Sequence, residues 1–180
     1  MKVYTTAPME DPRDARKSFR HLEDIGYDGA FSFEAKLDPF LPLVLAAENT
    51  TRLTLGTAIT IAFARNPMNL ANLAHGLQTI SEGRFILGLG SQVKPHIERR
   101  FGVTWEAPVA KLREVILALR ALWDTWQNGT RLNFRGQIFK LTLMSPIFNP
   151  GPIAIPNIPI YIAGVNRGMC RLARELCDRF

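Results

Sequence analysis

Gly83-Arg84-Phe85-Ile86-Leu87-Gly88-Leu89-Gly90-Ser91 is the stretch that decides the fold. From Phe85 to Leu89 its apolar residues occupy consecutive positions rather than alternate ones. A strand of this kind is covered on both faces, as strands are inside a parallel sheet flanked by other layers. The strand is expected over Arg84 to Leu89, ending in a glycine-rich turn. Towards the N-terminus the same plan repeats three times. Lys2–Thr5, Gly29–Phe33 and Leu53–Thr60 read as strands, and the pairs Asp11-Pro12, Asp38-Pro39 and Asn66-Pro67 each open a helix. Asp or Asn caps free helix N–H groups, and proline fits the first turn, where its missing N–H costs nothing. The pairs stand 27 and 28 residues apart, the length of one βα unit. The helices are expected to end near Gly26, Glu48 and Gly83.

Towards the C-terminus the alternation continues with a long helix from Pro108 to Trp126. A hairpin of Arg131–Phe134 and Gln137–Leu143, joined at Arg135-Gly136, follows it. The five prolines of Ser145 to Pro159 then mark an extended loop. Ile158–Ala163 is the fifth core strand and Asn166–Asp178 the fifth helix. The expected fold class is therefore α/β, a TIM (β/α)8-type barrel with about five βα units present. It forms one domain over 1–180, with 131–157 as a hairpin and loop insertion.

Composition excludes several other classes. Of 180 residues, 47% are apolar and 21% charged, which is globular rather than disordered. The longest apolar runs are broken by Pro42 and Gly88 and are too short to span a bilayer. Met1–Thr6 passes straight into the charged segment Glu10–Arg20, so no secretory signal is read and a cytoplasmic location is expected. The net charge of +6 comes from scattered arginines without interleaved aromatics, which argues against a nucleic-acid partner. Cys170 and Cys177 fall two turns apart on one helix, roughly 10 Å by the helical rise, too far for a disulfide. They are expected to be core thiols. No metal site is expected.

Chemistry in parallel barrels gathers after the C-terminal ends of the strands. Glu34, after the second strand, is either a polar or acid–base group at the barrel mouth or a solvated loop residue. Gly56-Thr57-Ala58-Ile59-Thr60 ends the third strand in small residues that would let a flat ring approach the backbone, or would simply suit tight packing. Gly88-Leu89-Gly90-Ser91-Gln92 offers backbone N–H groups to a cofactor edge or phosphate, without the third glycine of a dinucleotide fingerprint. His96 follows as a proton donor or a solvated residue. Ala163-Gly164-Val165-Asn166 forms a small turn before a helix, suited to a ring or an anion. HExxH, P-loop and GxSxG motifs are missing from the chain, so chemistry carried by a cofactor is the simpler expectation.

Taken in order, Gly29-Ala30-Phe31, Leu55-Gly56-Thr57-Ala58-Ile59, Arg65-Asn66-Pro67, the stretch from Gly83 to Ser91, Arg100-Phe101-Gly102 and Ile160-Tyr161-Ile162-Ala163-Gly164 resemble the bacterial-luciferase-like oxidoreductases. The resemblance covers nearly the whole chain and is nearest to the branch that uses the deazaflavin coenzyme F420, with FMN-dependent monooxygenases as neighbours. It implies hydride transfer or monooxygenation with F420, or alternatively reduced FMN, on a small organic substrate. By matching position it implies Glu34, Thr57, Ala58, Ile59, Gly90, Ser91, Ala163 and Gly164 as cofactor-binding residues, with a non-prolyl cis peptide in the third-strand bulge. No catalytic residue is assigned. A small-molecule substrate, neither nucleic acid nor membrane, and a homodimer as a compatible assembly complete the expectation. Loops Gln92–Ala107 and Arg131–Pro159 are expected to select the substrate.

Three departures qualify it. Val165-Asn166-Arg167 replaces a Gly-Pro pair, while Arg174 and Arg179 replace glycines, which is expected to overpack or displace the fifth unit. Barrels of this kind run to about 250 residues, so a chain stopping at Phe180 is expected to be a truncated portion lacking the phosphate region after strands 7 and 8. The alternatives are a non-catalytic fragment or interaction module of that fold, and a non-catalytic cofactor-binding relative.

Overall fold

The computed structural model describes residues 1–7 and 11–178. In chain order the core elements are β1 (Tyr4–Thr6), α1 (Ala15–Asp24), β2 (Gly29–Ser32), α2 (Phe40–Asn49), β3 (Thr54–Thr57), β4 (Thr60–Ile61), α3 (Pro67–Ile80) and β5 (Phe85–Gly90). They continue with α4 (Lys94–Arg99), α5 (Pro108–Asn128), β6 (Phe134–Arg135), β7 (Lys140–Leu141), β8 (Ile160–Ile162) and α6 (Arg167–Leu176).

The three Asx-Pro pairs work alike. Each side-chain oxygen accepts the N–H two residues on: Arg13 to Asp11 at 2.9 Å, Phe40 to Asp38 at 2.9 Å and Met68 to Asn66 at 2.8 Å. This satisfies a donor with no partner inside the helix and fixes where the chain leaves each strand. At Asp11 the device opens a short 3-10 turn, Pro12–Asp14, from which α1 continues.

All pairings in the main sheet are parallel: β1 to β2, β2 to β3, then β5 beside both β3 and β4, and β8 beside β5. Spatial order thus follows chain order, with no reversal of direction across the sheet. The helices keep that order too, α1 packing on α2, α2 on α3, α3 on α5 and α5 on α6. A sheet wound one way with its helices on one face is the barrel arrangement, not the doubly wound one. The protein has the TIM-barrel type of α/β fold over five βα units, and the barrel is incomplete, with β1 and β8 as its described edges.

Strand register divides the side chains. Leu55, Phe85, Leu87, Leu89 and Ile160 lie fully buried beneath the helices, together with Phe19, Leu43, Leu70, Leu119 and Trp126. The opposite, inner face carries Tyr4, Phe31 and Ile86, with glycines beside them in the register. A Cβ on Gly29 would stand 2.5 Å from the Tyr4 ring, and one on Gly56 2.5 Å from the Phe31 ring. Those glycines are the floor on which the rings rest.

Several expectations need correction. The third strand is not continuous from Leu53 to Thr60: it breaks at Ala58 and Ile59, between β3 and β4, and Thr57 keeps its pairing with Ser32 of β2 but not one with β5. The segment Gln92–Ala107 is not all loop, since Lys94–Arg99 form α4 around the fully buried Ile97. The hairpin shrinks to two paired residues a side, Phe134 with Leu141 and Arg135 with Lys140. Arg174 is exposed and overpacks nothing: α6 is capped by Asn166, whose Oδ1 accepts from Met169 N at 2.9 Å, and β8 keeps its place beside β5. Arg179 lies outside the described residues. Cys177 stands one residue past α6; both cysteines are half-buried free thiols, and Cys177 packs against the core.

Candidate functional site

The break in the third strand builds the site. Gly56 pairs with Ile86 and Thr60 with Leu89, so Thr57, Ala58 and Ile59 stand opposite only Leu87 and Gly88, one residue in excess. That surplus makes a bulge. The Thr57 hydroxyl stands in for the lost ladder bonds, donating to Gly88 O at 2.7 Å and accepting from Gly88 N at 3.0 Å. Gly88 has to be glycine, because a Cβ there would overlap the Thr57 carbonyl. A Cβ on Gly90 would stand 2.7 Å from Ile59. The peptide between Ala58 and Ile59 is cis, as the resemblance implied.

The bulge is held from the second βα loop. Ala58 N donates to Ser32 O at 2.7 Å, and Glu34 N donates to Ile59 O at 3.2 Å. The Glu34 carboxylate accepts from Ile61 N at 2.8 Å and from Arg65 Nη2 at 2.9 Å. Arg65 Nη2 also reaches Asp38 Oδ2 at 3.0 Å, and its guanidinium lies over the Phe40 ring, 5.6 Å from the centroid. With 8% of its side chain exposed, Glu34 is not a solvated loop residue.

On the open side of the bulge lies a cavity of about 300 Å³, lined by Tyr4, Phe31, Thr57, Ala58, Ile59, Gly88, Tyr161, Ile162 and Ala163. Its wall is largely apolar, and Ala58 and Ala163 on its rim are exposed. Ala163 continues the β8 ladder, its N–H donating to Leu89 O at 3.0 Å. Four of the expected positions, Thr57, Ala58, Ile59 and Ala163, therefore meet around one space. The others do not line it: Glu34 and Gly90 support the bulge from behind, the Ser91 hydroxyl donates to Gln92 O at 3.1 Å, and Gly164 sits against Met169. His96 is exposed and outside the cavity.

Sequence reading missed Tyr4, Phe31 and Tyr161, although their signal was present: aromatic residues alternating with glycines on one face of neighbouring strands. The segment 131–159 is absent from the cavity wall. Most of it packs against α5 and α3, where Glu114 accepts from Gln137, Ile138 and Phe139 N–H and Gln78 donates to Ile155 O and Asn157 O, while Leu132 and Ile158 are buried in the core and Pro159 O accepts from Leu87 N of β5 at 2.9 Å.

Among the described residues no three His, Cys, Asp or Glu side chains gather to hold an ion, and no helix is long and apolar enough to cross a membrane. A space of about 300 Å³ with an apolar wall, aromatic sides and exposed alanines at its rim matches the lower range of small-molecule sites. It has room for a ring system, not for a long polar tail.

A one-way parallel βα sheet with a cavity at a strand bulge defines a protein of the barrel type. Residues 2–180 match the family model described as luciferase-like monooxygenase, and the chain belongs to that family. It is 50% identical to the uncharacterized protein Rv1360 of Mycobacterium tuberculosis over 87% of this chain and 46% of that protein. It is 32% identical to the 5,10-methylenetetrahydromethanopterin reductase of Archaeoglobus fulgidus over 87% of this chain and 45% of that protein. Its fold superposes with a TM-score of 0.78, at 22% identity, on the coenzyme F420-dependent tetrahydromethanopterin reductase of Methanopyrus kandleri, covering 98% of this chain and 54% of that one. The chain spans about half the length of these relatives.

Proposed function

We propose that this chain supplies the ring-binding part of an oxidoreductase that uses coenzyme F420, with reduced FMN as the alternative cofactor, on a small organic substrate. The observation that carries this is the Thr57–Ile59 bulge facing the apolar cavity. Ala58 and Ala163 leave backbone open to a planar ring, and Tyr4, Phe31 and Tyr161 supply aromatic walls. The 29% identity, over 94% of this chain and 50% of that protein, to a Mycobacterium tuberculosis protein named as a putative coenzyme F420-dependent oxidoreductase favours F420 over FMN. When bound, such a ring carries hydride at its central carbon. The residues here hold it in place, exclude water from one face and leave the other towards substrate. Gly90, Ser91 and Gly164 belong to this reading as the outer border of the seat, and a cytoplasmic, homodimeric protein is compatible with it.

A second reading, an interaction module without catalysis, is favoured by the inner face, where Tyr4 and Tyr161 are only half-buried and β1 and β8 are each paired on one side among the described residues. Titrating the purified protein with F420 and, separately, FMN decides between them. The expected result is a saturable change in cofactor fluorescence with F420. Saturation with FMN alone moves the cofactor assignment, and no saturable change with either overturns the ring-binding reading in favour of the module.

A further inference from the structure

We infer that Glu34 and Arg65 act as a positioning pair that sets the shape of the Thr57–Ile59 bulge, and through it the fit of the ring; this rests on the ring-binding reading above. Both carboxylate oxygens of Glu34 are engaged, Oε2 by Ile61 N at 2.8 Å and Oε1 by Arg65 Nη2 at 2.9 Å. With Glu34 N bound to Ile59 O at 3.2 Å, this one residue grips the chain at Ile59 and again at Ile61. The carboxylate is thereby spent on the backbone and on Arg65. It is not aimed into the cavity, whose lining it does not join.

Arg65 explains why the grip holds its direction. Its Nη2 joins Glu34 to Asp38, its guanidinium rests over Phe40, and Asp38 caps the helix on which Phe40 stands. The loop after β2, the bulge and the start of α2 thus become one unit. Lysine offers a point charge in place of the planar fork, so it would not reproduce the arrangement over Phe40 together with both carboxylates.

Substitution separates positioning from mere folding. Glu34→Gln keeps an acceptor for Ile61 N but loses the charge facing Arg65; Glu34→Ala loses both. The F420 dissociation constant, measured well below the melting temperature, is expected to rise roughly tenfold for Glu34→Gln and Arg65→Lys, the scale of one charge-assisted hydrogen bond, and further for Glu34→Ala. The double variant Glu34→Gln/Arg65→Lys is expected to bind no more weakly than the weaker single one, as partners in one interaction do. Amide exchange at Ile61 supplies a readout that needs no cofactor: faster in Glu34→Ala, near wild type in Glu34→Gln. Unchanged Ile61 exchange in Glu34→Ala overturns the grip itself. Faster exchange with unchanged ring affinity overturns its role in positioning. Failure of the wild-type protein to bind either ring, with Ile61 exchange responding as expected, overturns the ring-binding reading and leaves the pair as a determinant of bulge shape.

Discussion

Gly88 shows how one atom can decide a site. Its missing Cβ leaves space for the Thr57 carbonyl, and its N–H and C=O are both satisfied by the Thr57 hydroxyl. Gly88→Ala is expected to cost about 3 kcal/mol or more, because backbone rather than a flexible side chain must move. Gly76, inside α3 with nothing within 4 Å of a Cβ position, is the control. Gly76→Ala is expected to stabilise by about 0.5–1 kcal/mol. Urea unfolding of both variants checks the pair, and equal effects at the two positions would show that the bulge does not depend on Gly88. Sequence alone marked both as glycines in regular elements. Only the packing tells them apart.

Among the elements, α1 is joined to the start of β3 by Glu23, which is buried at the C-terminal end of that helix. Burial by itself would raise its carboxyl, but the N–H groups of Arg52, Leu53 and Thr51, with the Arg52 charge, outweigh it and hold the group below the ordinary carboxylate range. A depressed folded value means that the unfolded chain takes up its proton first on acidification. The contribution of Glu23 is therefore present above the unfolded carboxylate value, about 4.3, and is lost as pH falls through the folded one. Glu23→Gln is expected to have a lower urea midpoint than wild type at neutral pH, and the gap is expected to narrow as pH falls below the ordinary carboxylate range. A gap that does not change with pH would mean that the charge of Glu23 contributes nothing. The strands and helices themselves were legible from periodicity and caps. The tie at Glu23 was not, because its partners lie 28 to 30 residues away and their N–H groups carry no residue identity.

For the whole molecule, the contrast is between two faces of one sheet. The helix-covered face is dry and closely packed, whereas the inner face exposes Ala58 and Ala163 and leaves Tyr4 and Tyr161 half-buried. A hydrophobic fluorescent dye is expected to bind this inner face and to be displaced by F420 at the concentrations that saturate binding. A dye signal that persists at saturating F420 would place the ring elsewhere. At this scale the sequence by itself determined the repeating βα plan, its helix starts and the buried strand expected over Arg84–Leu89, because these depend on neighbours a few residues apart: caps, prolines and runs of apolar side chains. It also marked Thr57, Ala58, Ile59 and Ala163. Tertiary structure alone decided that the third strand breaks, that Glu34 grips the bulge with Arg65, that Tyr4, Phe31 and Tyr161 share its cavity, and that the hairpin docks on Glu114 of α5. The physical reason is register: a strand's side chains change face with a shift of one residue, and nothing local fixes which distant strand stands beside it.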